Sequence, residues 1–278
     1  MKSLLAEIEQ PMYYLSDLDL LHGRRLTSSS HGKSITVCVG QHDEDGEVEN
    51  FIVHEELIRA QSPFFEAAMA RDWPESKARL VTLDTDSPDV FGLYVNWIYR
   101  HRIYLEPLPT TSAGHDVPEV VPNGGGTVSD EVLELFRARH NLLVRAYILG
   151  DKILDRDFQD AVIDGLIDFS RRRNVWPIRQ VKVIFENTLE KSPLRTLLVH
   201  MCSFNKHADR FKDPAFMQYL TAEALFDIAA DLMDNRDHRR DEFDAPFWGN
   251  NLCRYHIHEK EGRSCYRQRY RRSWGPMS

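Results

Sequence analysis

The first half of the chain carries short apolar runs that predict a small sheet. Residues 34–40, SITVCVG, form a β-rich apolar run ended by glycine, which is typical of a buried strand. The acidic turn at Asp45-Gly46, followed by the run VENFIVH, predicts a hairpin and a returning strand. A third strand is predicted over 78–86, and IYL at 103–105 is a candidate for one further short strand.

Helical patterns follow these strands. EELIRAQ predicts one or two helical turns, after which Ser62 and Pro63 break and restart the helix as an N-cap and a first-turn proline. Phe65 and Met69 lie four residues apart in the next helix, and we expect them to bury one face. Ser87-Pro88 opens a further helix, whose predicted apolar stripe comprises Phe91, Tyr94, Val95, Ile98 and Tyr99.

The pattern changes at residues 106–130, which contain four prolines and a run of three glycines and predict a flexible insertion. The glycine run is not a phosphate loop, because no lysine follows it. After the insertion helical spacing dominates, and short breaks between segments predict antiparallel helices packed into a bundle. The predicted helical segments are 130–155, 156–173, 177–189, 192–205 and 213–235.

Composition and charge narrow the class of protein. The 278 residues are 42% hydrophobic and 28% charged, with a net charge of −8, which argues against general binding to nucleic acid. The N-terminus has acids where a signal peptide needs an apolar run, no stretch approaches a membrane span, and the four cysteines are scattered. We therefore expect an intracellular protein of the cytoplasm, the nucleus or both.

The charge is unevenly distributed along the chain. Residues 254–278 contain seven basic side chains against two acidic ones. Such a basic tail could contact nucleic acid or an acidic partner, and the alternative is a solvated run of terminal charge.

One short stretch, VHEELIRAQSPFF at 53–65, begins like the zinc-protease motif H-E-x-x-H. That motif needs a second imidazole four residues after the first, so that both nitrogens reach one zinc ion from one helix face. Position 58 is isoleucine, so the catalytic interpretation fails. We expect His54 to be a structural residue that forms a hydrogen bond at the turn between strand and helix.

Two stretches and the order of their elements carry a family resemblance: FIVHEELIRAQSPFFEAAMARDWPESKARLVTLDTDSPDVFGLYVNWIYRHRI and LVRAYILGDKILDRDFQDAVIDGLI. They resemble the BTB/POZ domain family, and most of all its fungal type without a recognised second module. The resemblance implies an α+β fold, in which a short β-sheet is flanked by a cluster of helices, followed by a mostly α-helical C-terminal region. It divides the chain into an N-terminal extension (1–32), a BTB/POZ domain with the insertion 106–130 (33–170), a helical region (171–245) and a Cys/His-containing basic tail (246–278).

The resemblance also implies function, because BTB domains are protein–protein interaction modules and many are substrate adaptors for cullin-3 ubiquitin ligases. Trp73 and Glu75 in MARDWPESKARLVTL match the hydrophobic–x–Glu element through which such adaptors bind cullin-3. The alternative is that Trp73 caps a helix end and Glu75 is a solvated acid. The sequence departs from the family at Tyr99-Arg100-His101, where small residues commonly follow the long helix. Homodimer and monomer both stay open.

The C-terminal stretch CRYHIHEKEGRSCY contains four residues that suit a metal: Cys253, His256, His258 and Cys265, in the pattern C-x2-H-x-H-x6-C. Four such ligands within thirteen residues could surround one tetrahedral structural zinc ion. Against this, His-x-His spacing is awkward in a strand, and the cysteines could be free thiols. Cys253 and His256 lack an oxyanion donor or an orienting third group, so we expect no enzymatic activity.

Two other functions remain open beside the interaction module. A POZ-type transcriptional regulator could use the basic tail on nucleic acid, although the sequence lacks the tandem zinc fingers that usually follow such a domain. A purely structural oligomerisation protein is the third possibility. Because BTB proteins share one fold across many roles, none of these names a partner.

Overall fold

A computed structural model describes residues 32–41, 48–70, 74–105, 129–173, 175–204, 214–234 and 252–270. The chain divides into two compact units, Met1–Lys33 and Ser34–Ser278. The elements below belong to the second unit, and the predicted extension at 1–32 lies almost wholly outside the described residues. The architecture is mixed α+β, mostly helical with one small sheet, which confirms the predicted class at this level.

The sheet has three strands in the order β2-β1-β3, namely β1 (Ser34–Val39), β2 (Glu49–His54) and β3 (Leu80–Leu83). Strands β1 and β2 pair in antiparallel register with Ser34 opposite His54, as the hairpin pattern predicts, although Asp45-Gly46 lies outside the described residues. Strand β3 lies parallel to β1 on its other side, with Thr36 opposite Leu80. The short strand predicted at residues 103–105 is wrong, because Ile103–Leu105 pairs with no strand among the described residues.

Twelve α-helices occur among the described residues, together with two short 3-10 turns at Ile178–Gln180 and Leu252–Tyr255. They are α1 (Glu55–Gln61), α2 (Pro63–Ala70), α3 (Pro74–Ala78), α4 (Pro88–Arg100), α5 (Asp130–Lys152), α6 (Arg156–Arg173), α7 (Val181–Asn187), α8 (Pro193–Phe204), α9 (Pro214–Met217), α10 (Ala222–Asp234), α11 (Ile257–Glu261) and α12 (Tyr266–Arg269).

Several boundaries differ from the sequence prediction for local reasons. The third strand is shorter than 78–86, because α3 runs up to Ala78 and Arg79 then adopts a left-handed backbone with φ of 54°. The predicted helix over 213–235 is two helices, α9 and α10. The restart at Ser62-Pro63 is confirmed, since the Ser62 hydroxyl accepts a hydrogen bond from the Phe65 amide at 3.3 Å.

The hydrophobic core lies between the sheet and the helices, and it extends from Ile35 to Tyr266 along the chain. Phe65 and Met69 are buried there, as predicted from their spacing. On α4 the predicted stripe is partly wrong, because Tyr99 is 37% exposed whereas Trp97 is fully buried. Trp97 faces the core, where its indole Nε1 donates to Asp155 at 3.1 Å.

Helices α5 and α6 pack together more extensively than any other two helices in the described part of the chain. The buried residues of α6 include both apolar and acidic side chains. Phe158, Val162, Leu166 and Phe169 are buried, as the periodicity predicts. Within the described part of the chain, no helix has the length and apolar character that a membrane span requires.

Candidate metal centre

Cys253, His256, His258 and Cys265 converge on one point. One candidate ligand atom from each lies within 4.8 Å of the others. His256 Nδ1 lies 3.1 Å from His258 Nε2 and 3.8 Å from Cys265 Sγ. Around a tetrahedral zinc ion, with bonds of about 2.0–2.1 Å to nitrogen and about 2.3 Å to sulfur, neighbouring ligand atoms lie about 3.3–3.8 Å apart. These separations come close to that geometry, and the four residues could surround a single ion.

The local backbone explains how ligands so close in sequence reach one point. Cys253 lies in a 3-10 turn whose end is closed by the His256 amide, which donates to the Cys253 carbonyl at 2.8 Å. His256 is the extended residue before α11 and His258 lies in its first turn, and this arrangement brings the two rings together. Gly262 then ends α11 in the left-handed conformation, with φ of 67°, and the chain turns back toward Cys265.

Hydrogen bonds outside the cluster assign the tautomer of each imidazole. Nδ1 of His258 faces the Arg263 carbonyl oxygen at 3.1 Å, which can only accept, so Nδ1 carries the proton. Nε2 of His256 faces the Asp164 carboxylate at 3.0 Å and donates to it. In the neutral rings the opposite nitrogens, His256 Nδ1 and His258 Nε2, then direct lone pairs at each other across 3.1 Å. A proton on His256 Nδ1 or a metal cation between the two nitrogens relieves that repulsion, and the second arrangement is that of metal sites whose histidines donate to a carboxylate or carbonyl.

The carboxylates that support the centre come from one face of α6. Asp164 also accepts from the Tyr266 hydroxyl at 2.5 Å and pairs with Arg267 at 2.7 Å. Asp160 accepts from the amides of Ile257 at 2.6 Å and His258 at 3.4 Å, at the start of α11. Sequence reasoning missed these partners. The signal was present in three acids, at positions 157, 160 and 164, which lie three and four residues apart on a helix with a clear apolar stripe.

The electrostatics of the cluster favour the charged forms of His256 and Cys265, whereas burial raises the pKa of the Cys253 thiol to about 11. Burial acts to lower the pKa of His256, but the Asp164 carboxylate and the neighbouring Cys265 raise this pKa to about 9. Burial acts to raise the pKa of the Cys265 thiol, yet the adjacent His256 brings that pKa below its ordinary value. Burial also raises the pKa of Asp160 to about 6. The environment therefore stabilises a cation at the imidazole pair and a thiolate beside it.

Burial determines which chemistry the centre can perform. His256, His258 and Cys265 are buried, and Cys253 is half-buried. Four protein ligands complete a tetrahedral shell and leave no position for water or substrate, whereas a catalytic zinc ion keeps one position open. The arrangement suits a structural metal that fixes the fold of its own segment.

The segment around the centre attaches to the N-terminal half of the compact unit. Tyr270 stacks on His101 with ring centroids 3.8 Å apart, and its hydroxyl donates to Gln61 at 3.1 Å. Tyr266 packs edge-on against the Trp97 indole, with centroids 5.6 Å apart. The cluster therefore lies where α4 and α6 meet the C-terminal residues.

The basic side chains of this segment are largely committed to acids of the same unit. Arg267 pairs with Asp164, Arg269 with Asp157, and Arg263 with Glu261. The described part of the tail thus presents less free positive charge than its sequence suggests. Arg271 and Arg272 lie outside the described residues.

The H-E-x-x-H-like stretch assembles no metal site among the described residues. Nδ1 of His54 forms a 2.7 Å hydrogen bond with the Tyr99 hydroxyl, which in turn accepts from the His54 amide at 3.2 Å. Glu55 pairs with Arg79 at 2.6 Å, and this contact lowers the pKa of the Glu55 carboxyl. His54 is thus structural, as expected.

The two residues predicted to bind cullin-3 follow α2. Glu75 lies in the first turn of the short helix α3 and is exposed. Trp73 lies outside the described residues, so the paired element stays a prediction.

No protein-family model matches this chain, and a search of curated proteins finds no match either.

Proposed function

We propose that this protein is an interaction module of the BTB/POZ type. The observation that carries the proposal is the order of the described elements: hairpin strands, a short helix led by His54, a Ser-Pro-Phe helix, a parallel third strand and three longer helices. The same order of elements is the one that the resemblance to the BTB/POZ family implies, and it involves several separate segments of the chain. Phe65 and Met69, the positions that carry much of the resemblance, face the core.

The finer proposal is an adaptor for a cullin-3 ubiquitin ligase. Its support is an acidic side chain, Glu75, presented to solvent on a short helix directly after the position of Trp73. An aromatic residue supplies apolar contact area at an interface, and one adjacent carboxylate orients the partner.

Co-purification tests the adaptor proposal directly. Tagged full-length protein should capture purified cullin-3 at micromolar concentration, and the double variant Trp73→Ala with Glu75→Ala should lose that capture with an unchanged thermal melt. Glu56→Ala is the matched control, because Glu56 is an exposed acid on another short helix. Failure of the wild type to capture cullin-3 rejects the adaptor role and leaves the broader interaction module to be tested with other partners.

We further propose that Cys253, His256, His258 and Cys265 bind one structural zinc ion. Two thiolates and two imidazoles in tetrahedral arrangement are a preferred zinc environment, and each buried histidine is held by a hydrogen bond at one ring nitrogen and directs the other toward the cluster. Bound zinc would fix the turns of residues 252–270 and stabilise their attachment to α6.

Elemental analysis of the purified full-length chain tests this assignment. About one zinc ion per chain is expected, and Cys265→Ser should reduce that content sharply because the thiolate is lost. Cys38→Ala is the control, since Cys38 lies in β1 and outside the cluster. Equal zinc content in both variants would reject the assignment.

A further inference from the structure

Helix α10 has two apolar faces, of which one packs on the protein and the other faces solvent. Ala224 and Ile228 are buried on the inner face, where α10 contacts α8. On the opposite face Phe226 is 74% exposed and Met233 is 75% exposed, with Ala229 exposed between them. A helix that is apolar on two sides usually has a partner on each.

The exposed apolar residues are arranged as helix-binding anchors. Phe226, Ala229 and Met233 occupy positions i, i+3 and i+7, which lie on one face of an α-helix. Leu232, which is 41% exposed, widens the same face. Amphipathic helices that bind another protein contact it through anchor residues at this spacing.

Acidic side chains line one edge of this face. Glu223, Asp227 and Asp234 follow at i, i+4 and i+11, so they share one side of α10. Burial raises the pKa of Asp227, and the charge of Glu223 raises it further. The charge of Arg195 acts to lower this pKa, and the charge of Glu190 acts to raise it. Arg195 pairs with Glu223, but among the described side chains whose charges act on Asp227 the acids, Glu223 and Glu190, outnumber the one base.

We propose that the outer face of α10 docks a basic amphipathic helix of a partner protein. The partner's apolar stripe would cover Phe226 and Met233, and its Lys or Arg side chains would lie along the edge formed by Glu223, Asp227 and Asp234. A second copy of this chain fits less well, because its α10 presents the same acids and has no Lys, Arg or His to match them. The inference rests on the proposed interaction module and names the surface for its client.

A designed peptide serves as the probe. A fluorescent amphipathic helix built from LKKLLKL repeats is titrated with the full-length protein at about 0.15 M salt, where weak surface attraction is screened. We expect the double variant Phe226→Ser with Met233→Ser to weaken binding at least about tenfold. Ile52→Ser is the matched control, because Ile52 is also 74% exposed but lies on β2, and binding should not change.

A charge-reversed pair keeps the test independent of any folding defect in the apolar variant. Asp227→Lys with Asp234→Lys should weaken binding of the Leu/Lys peptide and improve binding of its Leu/Glu counterpart. The proposal is wrong if a scrambled Leu/Lys peptide binds equally well, or if neither pair of substitutions changes the affinity. It is also wrong if light scattering shows a dimer that the Phe226 variant abolishes, since the occupant is then a second copy.

The outcomes separate this inference from the proposals above. Loss of cullin-3 capture with intact peptide binding rejects only the adaptor role. Cullin-3 capture by a protein whose α10 face binds no peptide rejects only the docking surface.

Discussion

Asp164 on α6 and His256 before α11 are joined by a 3.0 Å hydrogen bond across 92 residues of sequence. The carboxylate orients the imidazole so that Nδ1 faces the other three ligand atoms, and Tyr266 and Arg267 orient the carboxylate in turn. The geometry of the candidate metal centre therefore depends on α6 as much as on the segment that supplies the four side chains.

Replacing this carboxylate should weaken metal binding without removing a ligand. We expect Asp164→Asn to lower zinc affinity about 10–100-fold, because the amide removes the charge that holds the His256 tautomer. Competition with a chromogenic chelator measures the affinity. Asp168→Asn is the control one turn further along α6, where Asp168 pairs with Arg172 instead. Equal affinities in the two variants would contradict the role of Asp164.

Removal of the metal should loosen the C-terminal segment selectively. In the presence of a strong chelator, we expect faster hydrogen exchange in residues 252–270 and unchanged exchange in β1. Metal at about a thousand times its dissociation constant stabilises the bound form by about 4 kcal/mol, so the difference in opening free energy is large enough to measure. Identical exchange with and without chelator would show that the segment folds independently of metal.

A buried histidine on α5 should make the fold sensitive to acid. His140 donates or accepts at Ser170 over 3.0 Å, and burial lowers its pKa to about 3. The unfolded chain therefore binds a proton that the folded chain excludes between about pH 3 and 6.5, and stability falls as pH decreases through this window. Relative to His140→Gln, wild type should lose up to about 1.4 kcal/mol per pH unit below about pH 6.5 in urea unfolding. Parallel stability curves would contradict a neutral buried imidazole.

The strand-to-helix turn at His54 depends on one hydroxyl. Tyr99→Phe removes both hydrogen bonds to His54 and should cost about 1 kcal/mol of unfolding free energy, the usual net value for such bonds. A double-mutant cycle with His54→Ala isolates the pair, and additive losses would show that the residues do not couple.

Features set by nearby residues could be predicted from sequence, and features set by distant ones could not. The burial of Phe65 and Met69 and the Cys/His cluster follow from spacings of a few residues. The stacking of Tyr270 on His101 and the support of His256 by Asp164 join segments remote in sequence, which periodicity does not reveal. The strand predicted at Ile103–Leu105 is wrong because a short apolar run alone supplies no pairing partner.

The assignment of a tetrahedral zinc centre is tested most directly by zinc K-edge X-ray absorption on the purified chain. We expect a shell of two sulfur atoms at about 2.3 Å and two nitrogen atoms at about 2.0–2.1 Å. A zinc shell of oxygen and nitrogen without sulfur, or a chain purified without zinc that does not bind added metal, would contradict it.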